Sequence, residues 1–215
     1  MNSKSDYAYN EIKNKIIQGG LAPLSDIVEE RLQEEFQISR TPIREAIQRL
    51  SKEGFVYIYA RKGTIVSAIN VETIHSVYQA RLLNEPYLSK EVCYDVSEEW
   101  LLHMKERLGD SPFDPSDTEH RDYHMALDYE LHTTILGYCK NQFLKDALRV
   151  VNDHSQRLRL RTSRYNEELE RSIKEHIAIV DAFLARDPER VEQVTRTHVI
   201  SSRQDAFKYN TSGQF

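Results

Sequence analysis

The chain is poor in the residues that cross-link or interrupt a polypeptide. Its 215 residues include two cysteines, seven glycines and six prolines. Cys93 and Cys139 are too few for a disulfide framework, which excludes a disulfide-stapled secreted scaffold and fits a reducing cytoplasm. No apolar run approaches the length of a membrane span, and the first residues lack the apolar core of a signal peptide. We therefore expect a cytoplasmic protein without a membrane segment, whose cysteines fill core space.

Charge is unevenly distributed behind a net value of −5 and a pI of about 5.9. Residues 39–64 contain six Lys and Arg against two Asp and Glu. An acidic pI argues against non-specific coating of nucleic acid, but it leaves room for one local basic face that binds DNA.

The stretch 38–50 has the pattern of a DNA-recognition helix. Its apolar residues recur at helical spacing and make one buried stripe: Ile43, Ala46, Ile47 and Leu50. Arg40, Thr41 and Arg44 cluster off this stripe, with Thr41 as the predicted N-cap and Pro42 as the first helical residue. Such residues can read base edges in the major groove. An ordinary amphipathic helix with solvated arginines explains the helix alone equally well.

The flanking segments favour the DNA-binding interpretation. Residues 27–36 predict a second short helix, separated by a tight link at 37–39, and Gly54 is a typical helix-ending glycine. Residues 56–60 and 64–67 predict a β-hairpin with a basic turn at 61–63. Two helices followed by a hairpin with a basic tip make a winged helix, in which Gly63 can approach a groove closely.

Residues 39–50, Glu53-Gly54 and Lys62-Gly63-Thr64 resemble the GntR family of bacterial transcription regulators, over about residues 6–68. The resemblance departs at Glu30, where many members have an arginine that contacts DNA. It implies the following DNA-binding set: Ser39, Arg40, Thr41, Arg44, Arg49, Lys62 and Gly63.

Glycine and proline become rare after residue 70, which predicts a helical second half. We expect helices at 71–93, 97–108, 117–137, 141–163, 166–185 and 188–207, joined by short loops as an antiparallel bundle. The predicted fold is mainly α, with a winged helix-turn-helix domain at 1–68, an all-α domain at 69–209 and a flexible tail at 210–215. Residues 77–86, 128–136, 175–182 and 197–198 resemble the FCD effector domain of the FadR subfamily.

Asp128 and His132 stand four residues apart, on one helix face, and His176 and His198 follow on two later helices. The FCD resemblance implies that these four residues converge on a divalent metal. Three imidazoles and one carboxylate suit zinc or nickel, with manganese or cobalt as alternatives. Taken alone, the Asp128–His132 pair is more typical of a solvated surface pair. We expect His120 and His124 to be exposed.

Arg81 is the candidate effector-binding residue, because a metal and an arginine together suit a small anionic metabolite such as a carboxylate. A salt bridge between Arg81 and Glu85 is an equally good interpretation of the same pattern. Arg157, Arg159 and Arg161 are spaced by two, so they cannot all face one pocket of a helical bundle.

The two resemblances imply a homodimeric repressor that binds a near-palindromic, double-stranded operator and responds to a small carboxylate. A metal-dependent hydrolase with an accessory N-terminal domain is the alternative, although the sequence has no His-Glu-x-x-His or Gly-x-Ser-x-Gly motif. A protein-interaction scaffold is a third possibility, and it would not need basic residues in register on a helix and a wing.

Overall fold

A computed structural model describes residues 3–109, 118–162 and 166–211, and the chain divides into two compact units between Ile69 and Asn70. The first unit contains three helices and three short strands. In chain order they are α1 (Lys4–Ile17), β1 (Asp26–Ile27), α2 (Glu29–Phe36), α3 (Arg40–Lys52), β2 (Val56–Tyr59) and β3 (Gly63–Val66).

The strands form an antiparallel sheet in the order β1-β3-β2. β2 and β3 make the predicted hairpin, with Val56 opposite Val66 and Tyr59 opposite Gly63. Gly63 has a φ of 107°, which a residue with a side chain adopts only with strain. Three helices and this wing confirm the predicted winged helix-turn-helix.

Two boundaries in this unit were predicted wrongly. The second helix begins at Glu29 rather than 27, because Ile27 belongs to β1 and lies opposite Thr64. α3 begins at Arg40, so the N-cap is Ser39, in an extended conformation with no side-chain capping bond, and not Thr41. Pro42 is then the third helical residue, where its missing N–H does no harm because the first four amides of a helix have no partner within it.

The apolar stripe of α3 forms the centre of this unit's core. Ile43 and Leu50 are fully buried, as are Ile12 of α1 and Phe55 just before β2. Each such side chain contributes roughly 1.5–3 kcal/mol of hydrophobic stabilisation on burial. The core fixes α3 through one face and leaves its arginines on the other.

The second unit is entirely helical among the described residues. Its helices are α4 (Val71–Glu91), α5 (Glu98–Gly109), α6 (Thr118–Gly137), α7 (Gln142–Thr162), α8 (Asn166–Leu184) and α9 (Pro188–Thr211). These bounds agree closely with the sequence-based ones, and the mainly α fold class is confirmed. α9 continues through Thr211, into the predicted tail at 210–215. The rest of that tail, and the predicted connections after residue 109 and at 164–165, lie outside the described residues.

Apolar side chains from several helices meet in one core. Leu101, Met104, Leu131, Val180 and Phe183 are buried within it. Cys93 and Cys139 are also buried and have free thiols, as expected. Over the described ranges, no helix has the length and apolar character needed to cross a lipid bilayer.

Candidate functional site

The exposed face of α3 presents the predicted DNA-reading residues. The side chains of Arg40 and Arg44 are 51% and 57% exposed, and Thr41 is also exposed. They stand on the first turns of α3, off its buried stripe. A helix docked by this end would bring both guanidinium groups to the edges of bases or to phosphates.

Two glutamates at the start of α2 hold these arginines. Glu29 Oε2 accepts hydrogen bonds from Nε of Arg40 at 2.8 Å and from Nε of Arg44 at 2.9 Å. Glu30 Oε1 accepts a further bond from Arg40 Nη2 at 2.6 Å. Partial burial would raise the pKa of Glu29, but the bonds from the two arginines outweigh it and hold the pKa below its usual value.

The other predicted DNA-binding residues differ in how available they are to DNA. Lys62 and Gly63 are exposed at the tip of the wing, and Ser39 is exposed at the start of α3. Arg49 instead bonds Asp6 of α1 at 2.7 Å and lies 4.0 Å above the Tyr9 ring. A phosphate contact by Arg49 would compete with both of these interactions.

Three histidines from three helices converge inside the second unit. His132 of α6, His176 of α8 and His198 of α9 are buried, and one nitrogen from each lies within 4.8 Å of the others. Asp128 is also buried, with Oδ2 3.5 Å from Nε2 of His176 and Oδ1 3.9 Å from Nε2 of His132. The structure thus brings together all four residues that the family resemblance implied.

The donor atoms fit a divalent metal. Nε2 of each of the three histidines is buried without a hydrogen-bond partner among the described residues. Buried polar atoms normally have a partner, since leaving one unsatisfied costs about 1–3 kcal/mol. Three such nitrogens beside a carboxylate are the ligand set that zinc, nickel and related metals accept.

Two carboxylates face the rings from outside the cluster, and one of them hydrogen-bonds to a ring. Glu175 Oε2 lies 2.9 Å from Nδ1 of His198, and Glu85 Oε2 lies 3.6 Å from Nδ1 of His132. A carboxylate that accepts the Nδ1 proton leaves Nε2 as a lone-pair donor. For His198 the electron-donating nitrogen is therefore Nε2, which has no hydrogen-bond partner among the described residues, whereas Glu85 lies beyond hydrogen-bond distance of Nδ1 of His132.

Burial keeps the histidines neutral. It lowers the pKa of His176 and of His198 to about 3, and it lowers the pKa of His132 well below its ordinary value. Burial alone would raise the pKa of Asp128, but the charge of Arg159 holds it down. Neutral imidazoles and an ionised carboxylate are the protonation states that bind a metal.

Arg81 makes the salt bridge that was the alternative to an effector contact. Its Nε and Nη2 bond the two oxygens of Glu85 at 2.6 and 3.0 Å, and its Nη1 bonds Ser155 at 2.9 Å. The side chain is 1% exposed. Any anion that reaches Arg81 must share the guanidinium with Glu85.

Arg159 is a site residue that sequence reasoning missed. It is buried on α7, with Nη1 2.6 Å from Oδ1 of Asp128. The sequence contained a signal, since the polar residues Asn152, Ser155 and Arg159 recur at helical spacing. In the structure all three are buried. A polar stripe on a helix that otherwise packs into a bundle indicates a polar cavity.

The expectation that His120 and His124 are exposed was wrong. His124 is buried, His120 is partly buried, and their Nε2 atoms lie 3.1 Å apart. Burial lowers the pKa of His124 to about 4. The rotation between helix turns carries His120 away from His132, but the neighbouring side chains still cover this end of α6.

Two cavities flank the histidine cluster. One contacts His132 and Glu85 and is otherwise mostly apolar, with Leu131, Ile135, Leu148 and Ile179 in its wall. The other contacts His198, Asp128 and Arg159 and is lined by further polar side chains. A small molecule bound at the cluster would meet an apolar wall on one side and charged groups on the other.

Comparison with known proteins covers both units. The model for bacterial regulatory proteins of the gntR family matches residues 4–66, and the FCD domain model matches residues 76–201. The HTH-type transcriptional regulator YdhC of Bacillus subtilis (strain 168) is 25% identical over 190 residues, 88% of this chain and 85% of that protein. The HTH-type transcriptional repressor GlaR of Escherichia coli (strain K12) is 24% identical over 208 residues, 90% and 91% of the two chains. The solved structure of E. coli McbR/YncC has a TM-score of 0.82 at 15% identity, covering 97% of this chain and 99% of that one, which supports the fold.

Proposed function

Because the chain belongs to the GntR family of bacterial transcription regulators and carries an FCD domain, we propose that it is a homodimeric, metal-dependent repressor. In this proposal each winged helix binds one half of a near-palindromic operator. A small carboxylate at the histidine cluster then changes the affinity for DNA. The convergence of three buried, neutral histidines on Asp128 is the observation that carries the metal-dependent part.

The DNA-binding half of the proposal rests on α3 and the wing. Arg40, Thr41 and Arg44 are exposed on one end of α3, and Lys62 is exposed on the hairpin. A single winged helix reads a short half-site, and two-fold protein symmetry matches a palindrome. The relative GlaR is named a repressor, which favours repression for this chain.

The metal would be held by Asp128, His132, His176 and His198, with zinc or nickel favoured and manganese or cobalt as alternatives. Bound there, it would supply a positive charge and a coordination position for an anion. Arg159 and Arg81 provide the fixed cationic surroundings. The apolar wall beside His132 favours a carboxylate with a short apolar chain over a polyhydroxylated acid, whose buried hydroxyls would need partners.

The hydrolase alternative is set aside, because the matching families and the named relatives are transcription regulators rather than enzymes. The second unit is therefore interpreted as a sensor. For it to act as a switch, the carboxylate must bind one state of the protein more tightly than the other.

Fluorescence anisotropy of the full chain tests the proposal. The probe is a duplex enriched from a random-sequence library by the wild-type protein, titrated with zinc or nickel and with a panel of small carboxylates. We expect a carboxylate to lower DNA affinity only in the presence of metal. A panel with no effect at any metal concentration would contradict metal-dependent sensing while leaving DNA binding intact.

A further inference from the structure

Arg40 and Arg44 meet the same carboxylate but do not meet it in the same way. Among the described residues, Glu29 is the only ion-pair partner of Arg44, through Nε alone. Arg40 is held twice, through Nε by Glu29 and through Nη2 by Glu30. Before DNA binds, Arg40 is therefore held by two ion pairs and Arg44 by one.

We propose that Glu29 is a positioning residue that aims Arg44 at a base edge, and that Glu30 competes with DNA for Arg40. Arg44 is then the base reader of α3, and Arg40 is a phosphate contact that becomes available when Glu30 is displaced. The proposal concerns DNA recognition alone and is independent of the metal and the effector.

The shape of the guanidinium group supports the role of Glu29. Its five N–H donors lie in one plane, and the two terminal nitrogens form the fork that bonds O6 and N7 of guanine. Glu29 takes only the Nε donor of Arg44, which leaves that fork open and limits rotation of the side chain. For Arg40 the side edge of the group is already occupied by the two glutamates.

The two glutamates differ in exposure, and therefore in the strength of their ion pairs with the arginines. The side chain of Glu29 is 21% exposed, whereas that of Glu30 is 62% exposed. Ion pairs between exposed groups contribute little and are screened by salt. A phosphate can therefore replace Glu30, whereas Glu29 keeps its place beneath both arginines.

Glu29→Gln tests the positioning role in the full chain. The probes are the duplex selected by the wild-type protein and a shuffled duplex of equal base composition. We expect affinity for the selected duplex to fall about tenfold, comparable to the discrimination of one bidentate base contact, with the shuffled duplex almost unaffected. If both duplexes bind equally more tightly, Glu29 is only a competing anion; an unchanged ratio of the two affinities also overturns the proposal.

Glu30→Gln tests the competition. We expect both duplexes to bind about two- to fivefold more tightly, the range for removal of one exposed ion pair. Because the wild-type protein must break the Arg40–Glu30 ion pair before Arg40 can contact a phosphate, the gain should disappear when Glu30→Gln is combined with Arg40→Ala. An equal gain with and without Arg40 would refute the competition between Glu30 and DNA.

Glu34→Gln is the matched control. Glu34 lies on the same helix and is exposed, and over the described ranges it has no ion pair. This change removes the same charge without touching either arginine, so both affinities should shift equally and by less than in Glu30→Gln. Circular dichroism of all three variants shows whether they fold; a Glu34→Gln that reproduces either effect assigns that effect to net charge and overturns the corresponding role.

Discussion

The two units build their candidate sites in opposite ways. In the first unit the predicted DNA-binding arginines of α3 come from one short stretch, are exposed and pair with carboxylates that solvent also reaches. In the second unit Asp128 and the three histidines come from three helices spread over residues 128–198 and are buried. The residues of the first site are neighbours in the sequence. The residues of the second site become neighbours only when the helices have folded together.

This difference in burial also makes the loss of a partner cost less free energy at the first site than at the second. Exposed ion pairs contribute roughly 0–1 kcal/mol each, so the arginines of α3 can exchange carboxylates for phosphates at little cost. The buried cluster cannot exchange partners in this way, because a buried polar or charged group that loses its partner is left unsatisfied at a cost of several kcal/mol. We therefore expect single substitutions to have the largest effects in the second unit.

Removing one cluster histidine should have the largest effect. In His176→Ala we expect metal content to fall from about one ion per chain to none. Even changes that only misorient a ligand lower metal affinity about 10–100-fold, so loss of a ligand should exceed that range. Elemental analysis of tag-free protein after dialysis against zinc or nickel measures this directly.

His103→Ala is the control for that experiment, because His103 is exposed on α5 and lies outside the cluster. It should retain the metal content of the wild type. Absence of metal from the wild-type chain after soaking would remove the metal from the proposed function and leave the DNA-binding half unchanged.

Replacing an orienting carboxylate should have a smaller effect at the same site. Glu175 contacts Nδ1 of His198, so Glu175→Gln keeps the shape of the side chain but weakens its hold on the ring. We expect metal affinity to fall about 10–100-fold with one metal still bound at saturation. Competition with a chelator of known affinity measures the shift; equal affinities of variant and wild type would limit Glu175 to packing.

The residues of the two sites differ in how well they could be predicted from the sequence. Asp128, His132, His176 and His198 were found through their family resemblance, because each is ordinary by itself and only the fold joins them. Arg159 was missed, although its spacing from Ser155 indicated a polar stripe. The arginines and apolar stripe of α3 needed no such help, since helical periodicity alone assigns them to opposite faces. The short strand β1 was missed because two residues make no pattern.

Truncation of Arg44, the proposed base-reading residue, should have a moderate effect on DNA affinity. We expect Arg44→Ala to weaken binding to the selected duplex by about 1–3 kcal/mol and to relax sequence preference at one position. Arg40→Ala should cost less, because Glu30 already competes for that side chain. Anisotropy titrations on the selected duplex and on single mismatches measure both. Equal losses for the two variants would remove the distinction between the arginines, and an unchanged affinity of Arg44→Ala would remove its role as a reader.

The smallest effect should occur at the start of the second unit, where the N-cap of α4 is set by a local interaction. Asn70 Oδ1 accepts hydrogen bonds from the backbone N–H and the hydroxyl of Thr73, each at 2.8 Å. Loss of an N-cap costs about 1 kcal/mol, which in a domain of this size lowers Tm by about 2–4 °C. Asn70→Ala should show this shift by circular dichroism, while Asn70→Asp, which keeps the acceptor, should melt close to the wild type. Because Asn70 belongs to neither the DNA-facing set nor the histidine cluster, DNA affinity and metal content should stay unchanged. A change in DNA affinity would mean that a helix start in the second unit influences a site that local sequence was thought to determine alone.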